Sequence, residues 1–551
     1  MTFSAGLFAL SLLVTASALP EKQEATGKGT INWRLCPELA KEVTESVGLP
    51  VQIPFDCAVL PVPLDYTDSS SELLNLTLIR VPASKKPVLG SVIWNAGGPG
   101  GSGVDNLSIQ GADLVAVLGG QFNIVSWDPR GTGKTLPFDC KIQPAVKLEA
   151  RRLPGLTSTN LTEQFLNTGF KDAVTFADAC YASMNATGEL IGTAFTARDV
   201  IRITDALGEG GQVRYWGPSY GSQLGMVLAA MFPERIERMV LDGNTNPHDF
   251  IRGNYGNYLI DADKTFLAFL EECAQAKEKC ALVSSAGLNT AMDMLNAINK
   301  ILLDPLAELV YESTAAFDAY VGAKSALFSG LYYPNTWPSL AETIVGLLNG
   351  SAAAAAAAAP TETKPKPPPY NLGIDSVNGI RGSDALWTAS KPEDILEEVK
   401  KQASYSTSFS DIGFYFTWAS AAWKMKAKEQ YKGDFKVKTN YPILFINGAW
   451  DVSTPLANAL NATTGFQDSV VLQHNGYGHT LIADPSLCTL RYFQDYFKHG
   501  TLPAPGTHCE PESKPWNRPE KAKVASRSVD DVKLLDAVTN LGLLKARSGL
   551  L

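Results

Sequence analysis

Histidine is scarce in this chain. Five histidines among 551 residues, none in an HExxH pattern, and eight cysteines without a CxxC pair leave no spacing suited to a zinc site. Basic residues are the minority, 47 Lys and Arg against 56 Asp and Glu, for a formal charge of −9. A nucleic-acid face needs the opposite balance. After the first 18 residues no apolar run reaches the roughly 20 needed to span a bilayer. The expectations are no metal, no organic cofactor, no nucleic-acid partner and no stable membrane insertion; oligomeric state is not legible.

What is present is a serine in a distinctive setting. Val213-Arg214-Tyr215-Trp216 reads as a strand and Ser222 to Met231 as a helix, and between them stands Gly217-Pro218-Ser219-Tyr220-Gly221. A strand-to-helix turn this tight strains the backbone at Ser219, and only small residues two before and two after leave room for it. The pattern alone is weak, since a glycine-bounded turn can carry an idle serine.

Its neighbours along the chain give it weight. Upstream, the apolar run Val88 to Trp94 ends in Asn95-Ala96-Gly97-Gly98-Pro99-Gly100-Gly101-Ser102-Gly103, a loop able to turn backbone N–H groups inward. Gly98 and Tyr220 are the expected oxyanion donors. Asp128 and Arg130, after the strand-like Phe122 to Trp127, are expected to form an internal ion pair beside that loop. Downstream, Tyr441 to Ile446 reads as a buried strand followed by Asn447-Gly448-Ala449-Trp450-Asp451, and Val470 to Gln473 as another followed by Asn475-Gly476-Tyr477-Gly478-His479. Serine, then acid, then histidine is the order that makes Ser219 the nucleophile, Asp451 the orienting acid and His479 the base. His474, Asp468 and Asp484 are the rivals: His474 ends a strand, Asp468 precedes one, and Asp484 follows the histidine.

The first 19 residues read as a secretory signal with Ala16-Ser17-Ala18 as cleavage site, although no basic residue precedes the apolar stretch. An even cysteine count suits an oxidising compartment. The simplest pairing joins sequence neighbours, Cys36 with Cys57, Cys140 with Cys180, Cys273 with Cys280 and Cys488 with Cys509, among about 105 formal possibilities. Glycosylation sequons begin at Asn75, Asn106, Asn160, Asn185, Asn349 and Asn461. The expected fold class is α/β: a mostly parallel central sheet built from residues 32–250 and 405–511, with a helical cap inserted at 251–404. Helix-period apolar spacing covers Thr265 to Ala281, Asn289 to Leu303 and Ser339 to Leu348 of the cap, whose residues 351–369 read as a low-complexity loop. In the tail, 512–551, an amphipathic stretch from Val529 to Leu544 is expected to pack on the surface.

With the elbow, the Gly-Gly-Pro-Gly loop, Trp127-Asp128-Pro129-Arg130-Gly131-x-Gly133 and the loops of Asp451 and His479 in hand, the chain resembles the tripeptidyl and prolyl aminopeptidases of the α/β-hydrolases, including their TAP-like C-terminal region. Cys57-Ala58 leading to Val62-Pro63-Leu64-Asp65-Tyr66, Tyr333-Pro334-Asn335-Thr336-Trp337-Pro338, and Pro442 to Cys509 extend the likeness over most of the mature chain. It implies release of single residues or tripeptides from peptides with a free N-terminus, beneath a cap that excludes folded proteins. Ala96 stands where prolyl aminopeptidases usually carry histidine, which favours the tripeptidyl branch, and Val452-Ser453-Thr454-Pro455 follows the acid where relatives often have proline at once. An exopeptidase needs carboxylates for the substrate ammonium; Asp242 and Asp249 are the candidates, set against a plain solvated-surface role. The rival functions are a secreted carboxylesterase or lipase using the same three side chains, and a silent hydrolase fold used for binding.

Overall fold

The structure, a computed structural model, describes residues 31–52, 54–141, 169–302, 323–350, 373–517 and 527–548. The signal segment, Asn160 and the 351–369 loop lie outside the described residues. Ten strands form one sheet: β1 (Arg34–Leu35), β2 (Asp56–Pro63), β3 (Leu73–Val81), β4 (Ser91–Trp94), β5 (Asn123–Trp127), β6 (Val213–Pro218), β7 (Ile236–Asp242), β8 (Leu444–Trp450), β9 (Val470–Tyr477) and β10 (His508–Cys509). Their order is β1-β2-β3-β5-β4-β6-β7-β8-β9-β10. The β1-β2, β2-β3 and β3-β5 pairs are antiparallel, and every pairing from β5-β4 to β9-β10 is parallel. β4 is buried along its whole length and β8 nearly so, as continuous apolar runs covered on both faces must be. β2 alternates, and it lies toward the antiparallel edge.

Helices cover both faces. α1 (Gly103–Val117) follows β4, α2 (Thr193–Leu207) precedes β6, α3 (Tyr220–Met231) joins β6 to β7, and α4 (Pro247–Arg252) follows β7. Between β7 and β8 the described residues contain no strand and many helices, among them α5 (Ala262–Ala276), α6 (Trp337–Leu348), α7 (Ile374–Asp384) and α8 (Ser410–Ala422). α9 (Leu487–His499) and α10 (Val529–Ser548) complete the set used below. α5 stops five residues before the periodicity suggests, because Lys277 turns to φ +52° and the Cys273–Cys280 disulfide closes the chain back on itself. Phe266, Phe269, Leu331, Trp337 and Phe409 build an apolar cluster of their own over this helical region.

Three expectations change. Asp128 and Arg130 do not pair with each other. Arg130 is fully buried and forks onto Asp199 (Nε to Oδ2 2.7 Å, Nη2 to Oδ1 3.0 Å) while also donating to Pro63 O. Asp128 instead accepts from Ser102 Oγ (2.7 Å) and from the amides of Val104 and Lys134, so it clamps the glycine loop through hydroxyl and amide donors. The tail helix α10 is no surface ornament, since Val538 and Leu541 are fully buried in the apolar cluster shared with α1. Finally, the Asn106 sequon sits inside α1 with no exposure, whereas Asn75, Asn185, Asn349 and Asn461 are exposed. The four disulfides join sequence neighbours, as the simplest pairing has it.

Candidate active site

Ser219 stands between the end of β6 and the first residue of α3 at φ +57°, ψ −125°, a region a non-glycine residue occupies only when its surroundings impose it. Its amide donates to Asp242 O (2.8 Å), and its carbonyl accepts from the Ser222 amide (2.8 Å) and Ser222 Oγ (2.6 Å). The glycine requirement is steric: a Cβ on Gly217 would lie 2.2 Å from Gly221 O, and one on Gly225 would lie 2.4 Å from Leu241 Cδ2. Ser219 itself is half-buried, open to a reactant.

The glycine loop leans directly on this turn. Gly97 has φ +92°, and a Cβ there would stand 3.2 Å from Ser219 Cβ. Asn95, at the end of β4, fixes the approach by donating its amide to Trp216 O (3.2 Å) and accepting the Gly97 amide on Oδ1 (3.0 Å). With the Gly97 amide so engaged, Gly98 supplies the next N–H of the loop; it is half-buried at φ +107°. Tyr220 opens α3, so its amide belongs to the helix start, where N–H groups lack an intrahelical acceptor.

Asp451 and His479 meet. Asp451 follows β8 and His479 follows β9, and the imidazole Nδ1 lies 2.8 Å from Asp451 Oδ2 and 3.0 Å from Oδ1. The carboxylate also accepts from the Ser453 amide (3.0 Å), the Thr454 amide (2.8 Å) and Thr454 Oγ1 (2.7 Å). Burial alone would raise the Asp451 carboxyl, but the charge and hydrogen bond of His479 and the Thr454 donors outweigh it and hold the group below its usual range. A Cβ on Gly243, the residue after β7, would lie 3.1 Å from His479 Cε1. The imidazole therefore sits over the same strand ends as the elbow, where Pro218 of β6 pairs with Asp242 of β7.

A residue of the helical stretch between β7 and β8 completes the histidine's seat. Tyr332 O accepts the His479 amide (2.9 Å), and its ring meets the imidazole edge-on with centroids 5.2 Å apart. Its hydroxyl lies 3.0 Å from that of Tyr258. Nothing in the sequence pointed to Tyr332, Ser453 or Thr454, and for Asn95 the one signal available was a polar residue closing a buried strand.

The rivals have other surroundings. His474 is buried within β9, with Nδ1 3.0 Å from Thr489 Oγ1, and burial pulls it down to about 4. Asp468 is exposed on the turn before β9, and Asp484 accepts the Tyr477 amide (3.1 Å). Asp242 is no solvated residue: it has no exposure, its Oδ1 accepts the Leu481 amide (2.9 Å), and burial pushes its carboxyl well up. Through its carbonyl on Ser219 and its carboxyl on Leu481 it ties the serine turn to the histidine loop. Asp249, in α4, is half-buried, accepts from Asn257 Nδ2 and is raised by burial.

Residues 91–282 match the family described as alpha/beta hydrolase fold, and residues 409–509 the one described as TAP-like protein. Serine protease Hip1 of Mycobacterium bovis is 24% identical over 464 residues, covering 82% of this chain and 87% of its own. Tripeptidyl aminopeptidase of Streptomyces lividans is 31% identical over 205 residues, 35% of this chain and 36% of that protein. Carboxylesterase B of Mycobacterium tuberculosis is 25% identical over 504 residues, 87% and 90% of the two chains.

Proposed function

We infer, from the premise that this chain is an α/β-hydrolase with a TAP-like C-terminal region, that it is an exported serine peptidase. It releases tripeptides or other short N-terminal units from peptides with a free N-terminus. The observation that carries the reading is the buried Asp451–His479 hydrogen bond set over the strand ends that hold Ser219 at a strained turn. His479 takes the Ser219 proton as Oγ attacks the scissile carbonyl, and Asp451 fixes the tautomer and stabilises the imidazolium. The amides of Gly98 and Tyr220 meet the developing oxyanion, each worth about 100 to 1,000-fold in rate. Collapse expels the amine, which leaves with the proton from His479, and water activated by the same imidazole then frees the acyl group. Asp249 is the carboxylate we carry forward for the substrate ammonium, since Asp242 has no exposure left for a ligand. Four disulfides support export.

An esterase is the second reading, favoured by the likeness to Carboxylesterase B along 87% of this chain. One panel separates the readings. A fluorophosphonate is expected to label the protein and to spare Ser219→Ala; absence of labelling returns the chain to a binding role. Among free and N-blocked peptide amides and short esters, the free peptides are expected to be cleaved and their blocked twins not. Equal cleavage of blocked amides, or turnover of esters alone, refutes the aminopeptidase.

A further inference from the structure

One strongly basic group in the cap has no counterpart in the mechanism. Arg381 lies in α7 and is 8% exposed, and neither its Nε nor its Nη1 has a hydrogen-bond partner among the described residues. No carboxylate among them pairs with it. The guanidinium is held between two rings, its Cζ 4.1 Å from the Phe416 centroid and 4.7 Å from that of Tyr255. The nearby acid on the same helix is engaged elsewhere, for Asp384 accepts the Thr193 amide (2.8 Å) and the Thr193 hydroxyl. An arginine cannot shed its proton to escape burial, so a charge left in this state is costly unless something else compensates it.

Its position links it to the serine. α7 begins against the glycine loop, where a Cβ on Gly100 would stand 3.0 Å from Ser376 Cβ. Val377 and Arg381, one turn apart, keep 7% and 8% exposure while Ser376, Ile380 and Ser383 between and beside them keep 1% or less. Arg381 thus lies on the least tightly covered face of an otherwise fully enclosed helix, itself still buried. Its charge is felt by the phenols of Tyr220, Tyr255 and Tyr258; Tyr220 follows the nucleophile, and Tyr258 contacts the Tyr332 that seats His479.

We propose that Arg381 is a specificity-determining residue that receives a substrate carboxylate beneath the cap, with Tyr255 and Phe416 holding the guanidinium ready for a bidentate grip. This rests on the reading of Ser219 as the nucleophile of a peptide-cleaving site. The carboxylate comes either from an acidic side chain or from the free C-terminus of a short peptide. Calorimetric binding to full-length Ser219→Ala protein tests the assignment without needing catalysis. One arm compares a tetra-alanine acid with its amide, and the other compares Glu with Gln at each position of a tetra-alanine amide.

In one arm the carboxylate is expected to tighten binding by at least about 30-fold. In Ser219→Ala/Arg381→Gln that ratio is expected to collapse to about one, and in Ser219→Ala/Arg381→Lys to survive in part, since lysine keeps the charge and loses the fork. Thermal melts verify that both variants fold, and the lysine variant keeps the comparison decisive if the glutamine one does not. No preference in either arm, or a preference that persists in Arg381→Gln, overturns the proposal. Failure of the wild-type protein to react with fluorophosphonate or cleave any peptide sinks the catalytic reading and leaves this binding comparison intact.

Discussion

At the residue scale, two histidines five positions apart have opposite fates because one lies within a strand and the other in the loop beyond it. His479 gains Asp451, two hydroxyls and an aromatic edge. His474 is enclosed in β9 with one hydroxyl neighbour, and burial brings it from 6.5 down to about 4. The unfolded chain binds a proton at His474 below 6.5 while the folded chain refuses it until about 4, so stability from this group is full above 6.5 and drains as pH falls through that window. At about 1.4 kcal/mol per pH unit across that gap, the loss is about 3 kcal/mol. Urea unfolding of wild type and His474→Gln at pH 7 and pH 4.5 is expected to show a shallower acid loss in the variant; parallel losses would refute the assignment. The Ser453 and Thr454 hydroxyls, by contrast, stand just past the acid, each within hydrogen-bonding reach of both Asp451 and His479 Nδ1.

At the element scale, the loop after β9 is fixed by what it touches in the helical stretch between β7 and β8. Gly478 has φ +88°, and a Cβ there would stand 2.3 Å from Tyr332 O, the acceptor of the His479 amide. Gly478→Ala therefore has to push the Tyr332 segment away or move the histidine. Displacements near 1 Å at a catalytic group cost about 100-fold, so a kcat drop of about that size is expected on whichever substrate the wild type turns over, alongside a lowered melting temperature. A wild-type kcat in a folded Gly478→Ala protein would show that Tyr332 merely borders the loop. The glycines of the serine turn were legible because Gly217 and Gly221 bound a strand and a helix in the sequence. The need for Gly478 was only half legible: the sequence placed a glycine before the histidine, but the atom that forbids a side chain belongs to Tyr332, 146 positions away.

At the scale of the whole molecule, the sheet is braced by charge as well as by apolar packing. Arg130 ties the loop after β5 to Asp199 of α2 and to the end of β2, all without exposure at the ion pair. Removing one partner of a buried pair leaves the other uncompensated at a cost of about 3–5 kcal/mol. Arg130→Met is expected to lose that much in denaturant unfolding while the folded fraction keeps its kcat, because Arg130 touches no reacting group. A variant as stable as wild type, or one whose kcat falls in step with no change in stability, would contradict this structural role. The expectation that Arg130 pairs with Asp128 failed because adjacency in sequence says nothing about partners that reach in from α2.

The order of segments was written into the chain. Alternating apolar runs and glycine-bounded turns announce the parallel sheet, and a serine after one strand, an acid after another and a histidine after the next announce a hydrolytic site. These features are local, since a strand, a tight turn and their succession depend on residues a few positions apart. Sequence neighbours also sufficed for the disulfides, whose partners are 7 to 40 residues apart. Tertiary structure alone decided that Asp242 is an internal tie, that α10 is part of the core, that Tyr332 seats the histidine and that Arg381 is buried between two rings with no carboxylate paired to it among the described residues. Each of those depends on which distant surfaces close over one another, and burial, which sets the cost of an unpaired charge and the value of a hydrogen bond, exists only once they have closed.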